Sequence, residues 1–232
     1  MNIPLNKYKF LIFDVDETLL DFRKSEHWAF HQTLNSHGIL ENHAQLFKSY
    51  LQISTALWDQ LEKNLISINK LKVHRYELLL QEHSLDEHNP ESLSEQYLHN
   101  LTEKVFLIDQ ALEVCKHLAQ THTLGIITNG IESVQKSRLQ TSGLMPYFSD
   151  VVVSEQCRFA KPDPRIFQYT LNKNGFTPQE SLMIGDKLEA DILGANNVHM
   201  DSCWVNLNGA HKNISDIRTQ FEISHLKQLI DP

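Results

Sequence analysis

The stretch FLIFDVDET, residues 10–18, decides the fold. Its four apolar residues predict a buried strand, which delivers two carboxylates to the edge of a sheet. Side chains two residues apart in an extended chain share a face, so we expect Asp14 and Asp16 to point together into the crevice where parallel α/β sheets bind ligands. Two close carboxylates repel each other and require a cation or a proton between them. The alternative is a plain turn whose aspartates cap a helix.

Polar residues follow three further apolar runs. Residues 124–127 precede Thr128, residues 151–153 lie a few positions before Lys161, and residues 182–184 precede Gly185 and Asp186, with Asp191 five positions on. The carboxyl ends of parallel strands meet at one edge of a sheet, so these groups are expected to surround one ligand. A structural coincidence does not explain four functional strand ends in succession.

The ordered motifs Asp-x-Asp-x-Thr, apolar-apolar-Thr, Lys-Pro and Gly-Asp-x-x-x-x-Asp resemble the haloacid dehalogenase-like (HAD) superfamily, in particular its Mg-dependent phosphatases. They match at Asp14/Asp16/Thr18, Thr128, Lys161 and Asp186/Asp191. Residues 185–194 and 203–206 are similar to the pyrimidine 5′-nucleotidase group. The resemblance implies an α/β fold, with a Rossmann-like parallel sheet core and an inserted helical-bundle cap domain.

The order of the elements predicts the same division. Residues 22–105 carry helical periodicity and almost no strand signal, which predicts a four-helix cap domain, and the boundaries we expect within it fall at Gly38, at Ser67 and near Pro90. Residues 1–21 and 106–232, where helices alternate with apolar runs, form the predicted core. Because the insertion follows the first strand, we expect it to cover the Asp14/Asp16 crevice as a lid.

The bulk composition restricts the partners. The chain has 232 residues, with 21 basic and 29 acidic side chains and a formal charge of −8. This balance disfavours a nucleic-acid polymer or an anionic membrane as the main partner and leaves a small phosphorylated metabolite. The three scattered cysteines indicate neither a disulfide framework nor a zinc knuckle, and the first residues lack the apolar core of a signal peptide. A cytoplasmic enzyme fits these features.

The catalytic prediction assigns two roles, which the resemblance also implies. Asp14 is the nucleophile that attacks phosphorus and forms an aspartyl-phosphate. Asp16 is the general acid, which protonates the leaving oxygen and then activates water. The phosphate oxygens are expected to bind the hydroxyl of Thr128, the backbone amides of Asn129 and Gly130, and the ammonium of Lys161.

Hard oxygen ligands predict Mg²⁺ as the cofactor. Its expected ligands are the side chains of Asp14 and Asp186 and the backbone carbonyl of Asp16. Asp191 is expected to act through water or in the second shell, or else to be an ordinary acid near a helix N-terminus. Lys187 follows Asp186 directly, and it would compete with the metal if it turned inward.

Two features of the helical segment remain. Arg75 is the first choice among cap residues for a contact to substrate, because ligand pockets draw on few polar groups. His27 and His31 lie four residues apart, a spacing that metal sites use. No third ligand is evident nearby in the sequence, so a solvated helix face is the expectation for this pair.

The leading functional hypothesis is a Mg-dependent phosphomonoesterase, with a nucleoside 5′-monophosphate as substrate. A phosphoglycolate or sugar-phosphate phosphatase and a phosphomutase share these motifs. A haloacid dehalogenase needs neither Asp16 nor Asp186. From a different class, a non-enzymatic receiver module phosphorylated on aspartate would need no helical bundle and no second acid beside Asp14.

Overall fold

The computed structural model describes residues 3–63, 65–210 and 217–231. The chain forms two compact units. We call the first, residues Met1–Phe22 and Val105–Pro232, the α/β unit, and the second, Arg23–Lys104, the helical unit.

Five α-helices lie between the first two strands, and helices and strands are interleaved in the remainder of the described chain. The α-helices are α1 (Phe22–Ser36), α2 (His43–Glu62), α3 (Ile68–Glu82), α4 (Pro90–Glu103), α5 (Ala111–Leu118), α6 (Glu132–Thr141), α7 (Ser154–Cys157), α8 (Pro164–Asn174) and α9 (Leu193–Asn197). The strands are β1 (Phe10–Phe13), β2 (Thr123–Thr128), β3 (Asp150–Val153), β4 (Ser181–Gly185), β5 (Asp201–Val205) and β6 (Phe221–Ile223). A π-helical turn, Leu188–Ile192, leads into α9.

The six strands form one parallel sheet with the order β3-β2-β1-β4-β5-β6. Strand β1 lies between β2 and β4, and Phe13 is opposite both Ile126 and Ile184. The residues that follow β1, β2 and β4 therefore leave the sheet side by side. This parallel sheet with its helices confirms the predicted fold class.

Strand β1 is buried on both faces. Leu11 and Phe13 pack into one hydrophobic cluster, with Val114 of α5, and Phe10 and Ile12 pack into another on the opposite face. A strand covered on both faces reads as a continuous apolar run because no position meets water.

The first strand is shorter than the sequence predicted. We expected the chain to stay extended as far as Asp16, but β1 ends at Phe13. The backbone then turns, since the amides of Leu19 and Leu20 both donate to the carbonyl of Val15. The expectation that Asp14 and Asp16 share one strand face was therefore wrong, because residues 14–16 lie beyond the strand.

The α/β unit consists of two chain segments that meet beside each other. Leu20 pairs with Leu107 in an isolated antiparallel bridge. The amide of Asp21 donates to Phe106 O at 2.9 Å, and the amide of Ile108 donates to Leu19 O at 2.9 Å. These hydrogen bonds join the segment that precedes the helical unit in sequence to the segment that follows it.

Two helices of the helical unit, α3 and α4, begin at capping side chains. Ser67 Oγ accepts from the amide of Lys70 at the start of α3, and Asn89 Oδ1 accepts from the amide of Ser92 at the start of α4. Such N-caps satisfy amides that lack a partner within the helix. In the parts of the chain that the structure describes, no helix combines the length and the apolar character needed to cross a membrane.

Candidate active site

The centre of the candidate site is a buried ion pair between two residues that are far apart in sequence, Lys161 and Asp14. Lys161 Nζ donates to Asp14 Oδ1 at 2.5 Å, to Asp191 Oδ1 at 2.6 Å and to the carbonyl of Ile127 at 2.9 Å. Lys161 is only 3% exposed. An ammonium group has three hydrogens, so these acceptors use all of its donors. Burial lowers the pKa of Lys161, but the attraction of Asp14 and Asp191 outweighs it and raises the pKa.

Three carboxylates converge at this point. Oxygen atoms of Asp14, Asp186 and Asp191 lie within 4.8 Å of one another. Burial raises the pKa of Asp14 to about 7 against the opposing pull of Lys161, and Asp191 and Asp16 add repulsion. Burial and the charges of Asp14 and Asp191 raise the pKa of Asp186 to about 8. Once ionised, the three carboxylates outnumber the one ammonium, and the resulting excess of negative charge suits a hard divalent cation such as Mg²⁺.

Asp186 and Asp191 are oriented by their neighbours in the α/β unit. Thr18 Oγ1 donates to Asp186 Oδ1 at 3.3 Å, and Trp204 Nε1 donates to the carbonyl of Asp186 at 2.8 Å. Asp191 Oδ2 accepts from the amide of Lys187 at 3.0 Å. Asp191 packs directly over Gly185, where a Cβ atom would lie 2.3 Å from its Oδ2. Glycine at this position is what admits the Asp191 carboxylate to the cluster.

Asp16 has its own partners and does not join the cluster through its side chain. Arg138 Nη1 donates to Asp16 Oδ1 at 2.6 Å, and Gln135 Nε2 donates to Asp16 Oδ2 at 2.8 Å. The metal contact predicted for Asp16 involves its backbone carbonyl and stays a prediction. Asp14 and Asp16 therefore each pair with a different cationic side chain. Lys161 pairs with Asp14, and Arg138 pairs with Asp16.

The residues after β2 form the next part of the site. Thr128 Oγ1 accepts from the amide of Gly130 at 3.2 Å and from Gln135 Nε2 at 2.9 Å. Its two lone pairs are thereby used, and its O–H remains able to donate to an anion. The amide of Gly130, expected to bind phosphate, instead donates within the loop.

Asn129 connects two loops of the site. Its Nδ2 donates to the carbonyl of Lys161 at 2.9 Å, and its Oδ1 accepts from the amide of Lys161 at 2.8 Å. These two hydrogen bonds fix the backbone of Lys161. The predicted hydrogen bond from Asn129 to a phosphate oxygen involves its backbone amide, not its side chain.

Arg75 lies in the interior of the helical unit, at 3% exposure. Its guanidinium lies over the rings of Tyr97, Tyr76 and Tyr50, at 4.5, 5.6 and 5.7 Å, and Nη1 donates to Tyr50 Oη at 3.0 Å. These contacts favour a packing role, and the predicted substrate contact stays a prediction. The side chain of Lys187 is exposed, and its predicted competition with the metal stays a prediction.

Sequence reasoning missed Gln135 and Arg138. Both lie on α6, three residues apart, and both are at most 1% exposed. Arg138 Nη1 also donates to Gln135 Oε1 at 2.8 Å. The sequence does place an arginine on the inner face of the helix that follows Thr128. Only the packing of α6 shows that the partner of this arginine is the carboxylate of Asp16.

Comparison with known proteins agrees with this geometry. The family model for haloacid dehalogenase-like hydrolases matches residues 11–205. The chain is 34% identical to the HAD-hydrolase YfnB of Bacillus subtilis, over 97% of this chain and 95% of that one. It is 35% identical to the pyrimidine 5′-nucleotidase PynA of Streptococcus pneumoniae (97% and 94%) and 29% identical to the pyrimidine 5′-nucleotidase YjjG of Escherichia coli (97% and 98%).

Two solved structures show the same architecture. A crystal structure of YfnB from Bacillus subtilis bound to magnesium superposes with a TM-score of 0.87 at 33% identity and covers 97% of each chain. The 2-haloacid dehalogenase of Pseudomonas syringae has a TM-score of 0.70 at 25% identity and 96% coverage of each chain.

The sheet, the strand-end carboxylates and these matches define a hydrolase with a HAD-type fold. The chain belongs to the haloacid dehalogenase-like hydrolase family. The predicted family and the predicted enzyme class are confirmed.

Proposed function

We propose that this protein is a Mg-dependent phosphomonoesterase that hydrolyses nucleoside 5′-monophosphates, with pyrimidine nucleotides as the preferred substrates. The observation that carries the proposal is the convergence of Asp14, Asp186 and Asp191 around Lys161. Support for the substrate class comes from two relatives named pyrimidine 5′-nucleotidases, each aligned over 97% of this chain.

The donor set fits magnesium. Carboxylate oxygens are its preferred protein ligands, and Asp14 and Asp186 would hold it together with the backbone carbonyl of Asp16. When bound, Mg²⁺ would offset the negative charge shared by the carboxylates and the substrate phosphate. Asp191 keeps Lys161 oriented toward Asp14 through its Oδ1.

The first chemical step uses Asp14 and Asp16. Lys161 holds Oδ1 of Asp14, which leaves Oδ2 to attack phosphorus. The bond from Asp14 to phosphorus forms while the ester P–O bond breaks, and Asp16 gives its proton to the departing oxygen. Gln135 and Arg138 hold the Asp16 carboxyl group for this transfer.

The second step reverses the proton movement. Asp16 takes a proton from water, the water oxygen attacks phosphorus, and the bond from phosphorus to Asp14 breaks to release inorganic phosphate. The O–H of Thr128, the amide of Asn129 and the ammonium of Lys161 bind the phosphoryl oxygens. All three hydrogens of the Lys161 ammonium already have acceptors, namely Asp14, Asp191 and the carbonyl of Ile127. Lys161 therefore binds a phosphoryl oxygen by sharing one of these hydrogens between that oxygen and its present acceptor.

A screen of phosphorylated metabolites tests the proposal. Phosphate release is measured with UMP, CMP, dTMP, AMP, GMP, phosphoglycolate and glucose 6-phosphate, each with excess Mg²⁺ and with EDTA. We expect Mg-dependent multiple turnover and the highest kcat/KM with the pyrimidine nucleotides. A higher kcat/KM with phosphoglycolate or the sugar phosphate would overturn the substrate class. A single phosphorylation event without turnover would overturn the enzymatic role.

A further inference from the structure

Three histidines of the helical unit contact one another in a row. His31 Nε2 lies 3.1 Å from His27 Nε2, and His31 Nδ1 lies 3.1 Å from His43 Nδ1. His27 and His31 are one turn apart on α1, and His43 is the first residue of α2. From the sequence we expected His27 and His31 on a solvated face, since no third ligand is evident nearby in the sequence. The structure places a third imidazole beside them.

The hydrogen bonds of this row fix the ring protons. His43 Nε2 lies 2.5 Å from the carbonyl of Ile39, which can only accept, so this nitrogen carries a hydrogen. A neutral imidazole has one N–H and one lone pair, so His43 Nδ1 accepts and His31 Nδ1 donates to it. The lone pair of His31 therefore lies on Nε2, the atom that faces His27.

The spacing of the two Nε2 atoms suits a shared metal ion. Two imidazoles on one cation at metal–nitrogen distances of about 2.0–2.1 Å have nitrogens about 2.9–3.4 Å apart, for angles between square and tetrahedral. The observed 3.1 Å lies inside this range. In the metal-free protein, the same distance accommodates a hydrogen bond from His27 Nε2–H to His31 Nε2. A metal replaces this hydrogen, and His27 then carries its proton on Nδ1.

We propose that His27 and His31 form a transition-metal site of the Zn²⁺, Cu²⁺ or Ni²⁺ class, with water completing the coordination shell. Imidazole nitrogen favours these cations, whereas the carboxylates of Asp14, Asp186 and Asp191 favour Mg²⁺. The protein therefore carries two cation sites of different chemistry, one in each unit.

The surroundings of the pair strengthen this assignment. Metal-bound histidines generally donate their second ring N–H to an acceptor, which fixes the tautomer and the ring orientation. His31 has such an acceptor in His43, which is itself held by Ile39. The ring of Phe47 lies 5.0 Å from that of His27 and 5.7 Å from that of His31, and it restricts both on their apolar side. His27 is exposed, so a cation can reach it from solvent.

Calorimetric titration of the full chain with Zn²⁺ tests the proposal. The protein carries no polyhistidine tag, and excess Mg²⁺ occupies the carboxylate site. We expect one Zn²⁺ site in the wild type, with affinity reduced more than about 100-fold in His27→Gln and in His31→Gln. His43→Gln leaves both ligands in place and should weaken binding about 10- to 100-fold, as loss of a supporting hydrogen bond does.

His99→Gln is the matched control, because His99 is an exposed histidine of the same unit, and its Nε2 lies 3.9 Å from a carboxylate oxygen of Glu103. Its Zn²⁺ affinity should equal that of the wild type. Circular dichroism verifies that each variant is folded, and the imidazole ¹⁵N resonances of His27 and His31 should shift on metal addition. Unchanged affinity in His27→Gln, or an equal loss in His99→Gln, would overturn the site. Unchanged affinity in His43→Gln would overturn its supporting role.

Discussion

The two units each bury a cation, but they stabilise it in different ways. Lys161 of the α/β unit is enclosed by two carboxylates and a carbonyl, which use every hydrogen of its ammonium. Arg75 of the helical unit is enclosed by three tyrosine rings, and its Nη2 has no hydrogen-bond partner among the described residues. Both are 3% exposed. Burial alone therefore does not distinguish the two cations, whereas their hydrogen bonds do: Lys161 donates to two carboxylates, and Arg75 donates to a phenol oxygen and a backbone carbonyl.

The largest effect is expected at Asp14, the carboxylate that Lys161 holds. Asp14→Asn removes the nucleophile and should lower kcat by at least about 10⁴-fold, because a missing nucleophile removes the covalent route. Released phosphate is the readout. Asp163→Asn, at the N-cap of α8, is a control that should retain activity. Wild-type turnover in Asp14→Asn would remove Asp14 from its assigned role.

The next largest effect concerns Asp16. Asp16→Asn cannot transfer a proton, so both formation and hydrolysis of the phosphoenzyme should slow by about 10²–10⁴-fold. Rapid-quench measurements separate the two steps. If neither step slows, Asp16 is not the acid–base group.

The two buried cations should differ in their effect on stability. Lys161→Met leaves Asp14 and Asp191 without their counter-charge and should lower the free energy of unfolding by about 3–5 kcal/mol. Arg75→Met loses ring contacts, two hydrogen bonds and the attraction of one carboxylate, Glu26, and should cost less, about 1–3 kcal/mol. Urea unfolding of both variants measures the difference. Equal losses would contradict the contrast between the units.

Arg138 should affect catalysis through the position of Asp16. Arg138→Gln removes the ion pair at 2.6 Å and should lower kcat by about 10²-fold, as expected for a misplaced catalytic group. Rapid-quench measurements should show that formation and hydrolysis of the phosphoenzyme both slow, because Asp16 serves both steps. A variant that is less stable but has an unaltered kcat would show that Arg138 is only structural.

The smallest effect is the pH dependence of Mg²⁺ binding. Burial and mutual repulsion raise the pKa of Asp14 to about 7 and that of Asp186 to about 8, so both carboxyls hold protons near neutral pH. Because Mg²⁺ displaces these protons, its affinity should rise with pH, by about tenfold per pH unit for each proton displaced. Calorimetry should show a plateau once both groups are ionised. An affinity that does not change across the neutral range would contradict this expectation.

Much of the candidate site follows from one regularity of the sequence. Asp14, Thr128 and Asp186 each come directly after an apolar run, and parallel pairing of β1, β2 and β4 brings those run ends together. Apolar patterning specifies buried parallel strands well, because every position of such a strand avoids water. The two ends of α8 are also predictable from local chemistry. Asp163 is a residue type that accepts from the first helical amides, and Gly175 readily adopts the positive φ at which α8 ends.

The contacts that the sequence did not reveal depend on packing between elements. Arg138 reaches Asp16 only because α6 lies against the end of β1, and His43 reaches His31 only because α2 folds back on α1. The orientation of Asp16 was also missed, since the alternation of side chains holds only while the chain stays extended. Glu17, at φ +59°, marks the turn that ends this alternation.

The bridge between Leu20 and Leu107 has an evolutionary consequence. Because the points where the chain leaves and rejoins the α/β unit are neighbours, an inserted segment of almost any length can be accommodated there without rerouting the sheet. Recombination at this junction can exchange one insert for another while the strand-end chemistry is inherited intact. A lineage can therefore replace the inserted unit and keep the parallel sheet unchanged.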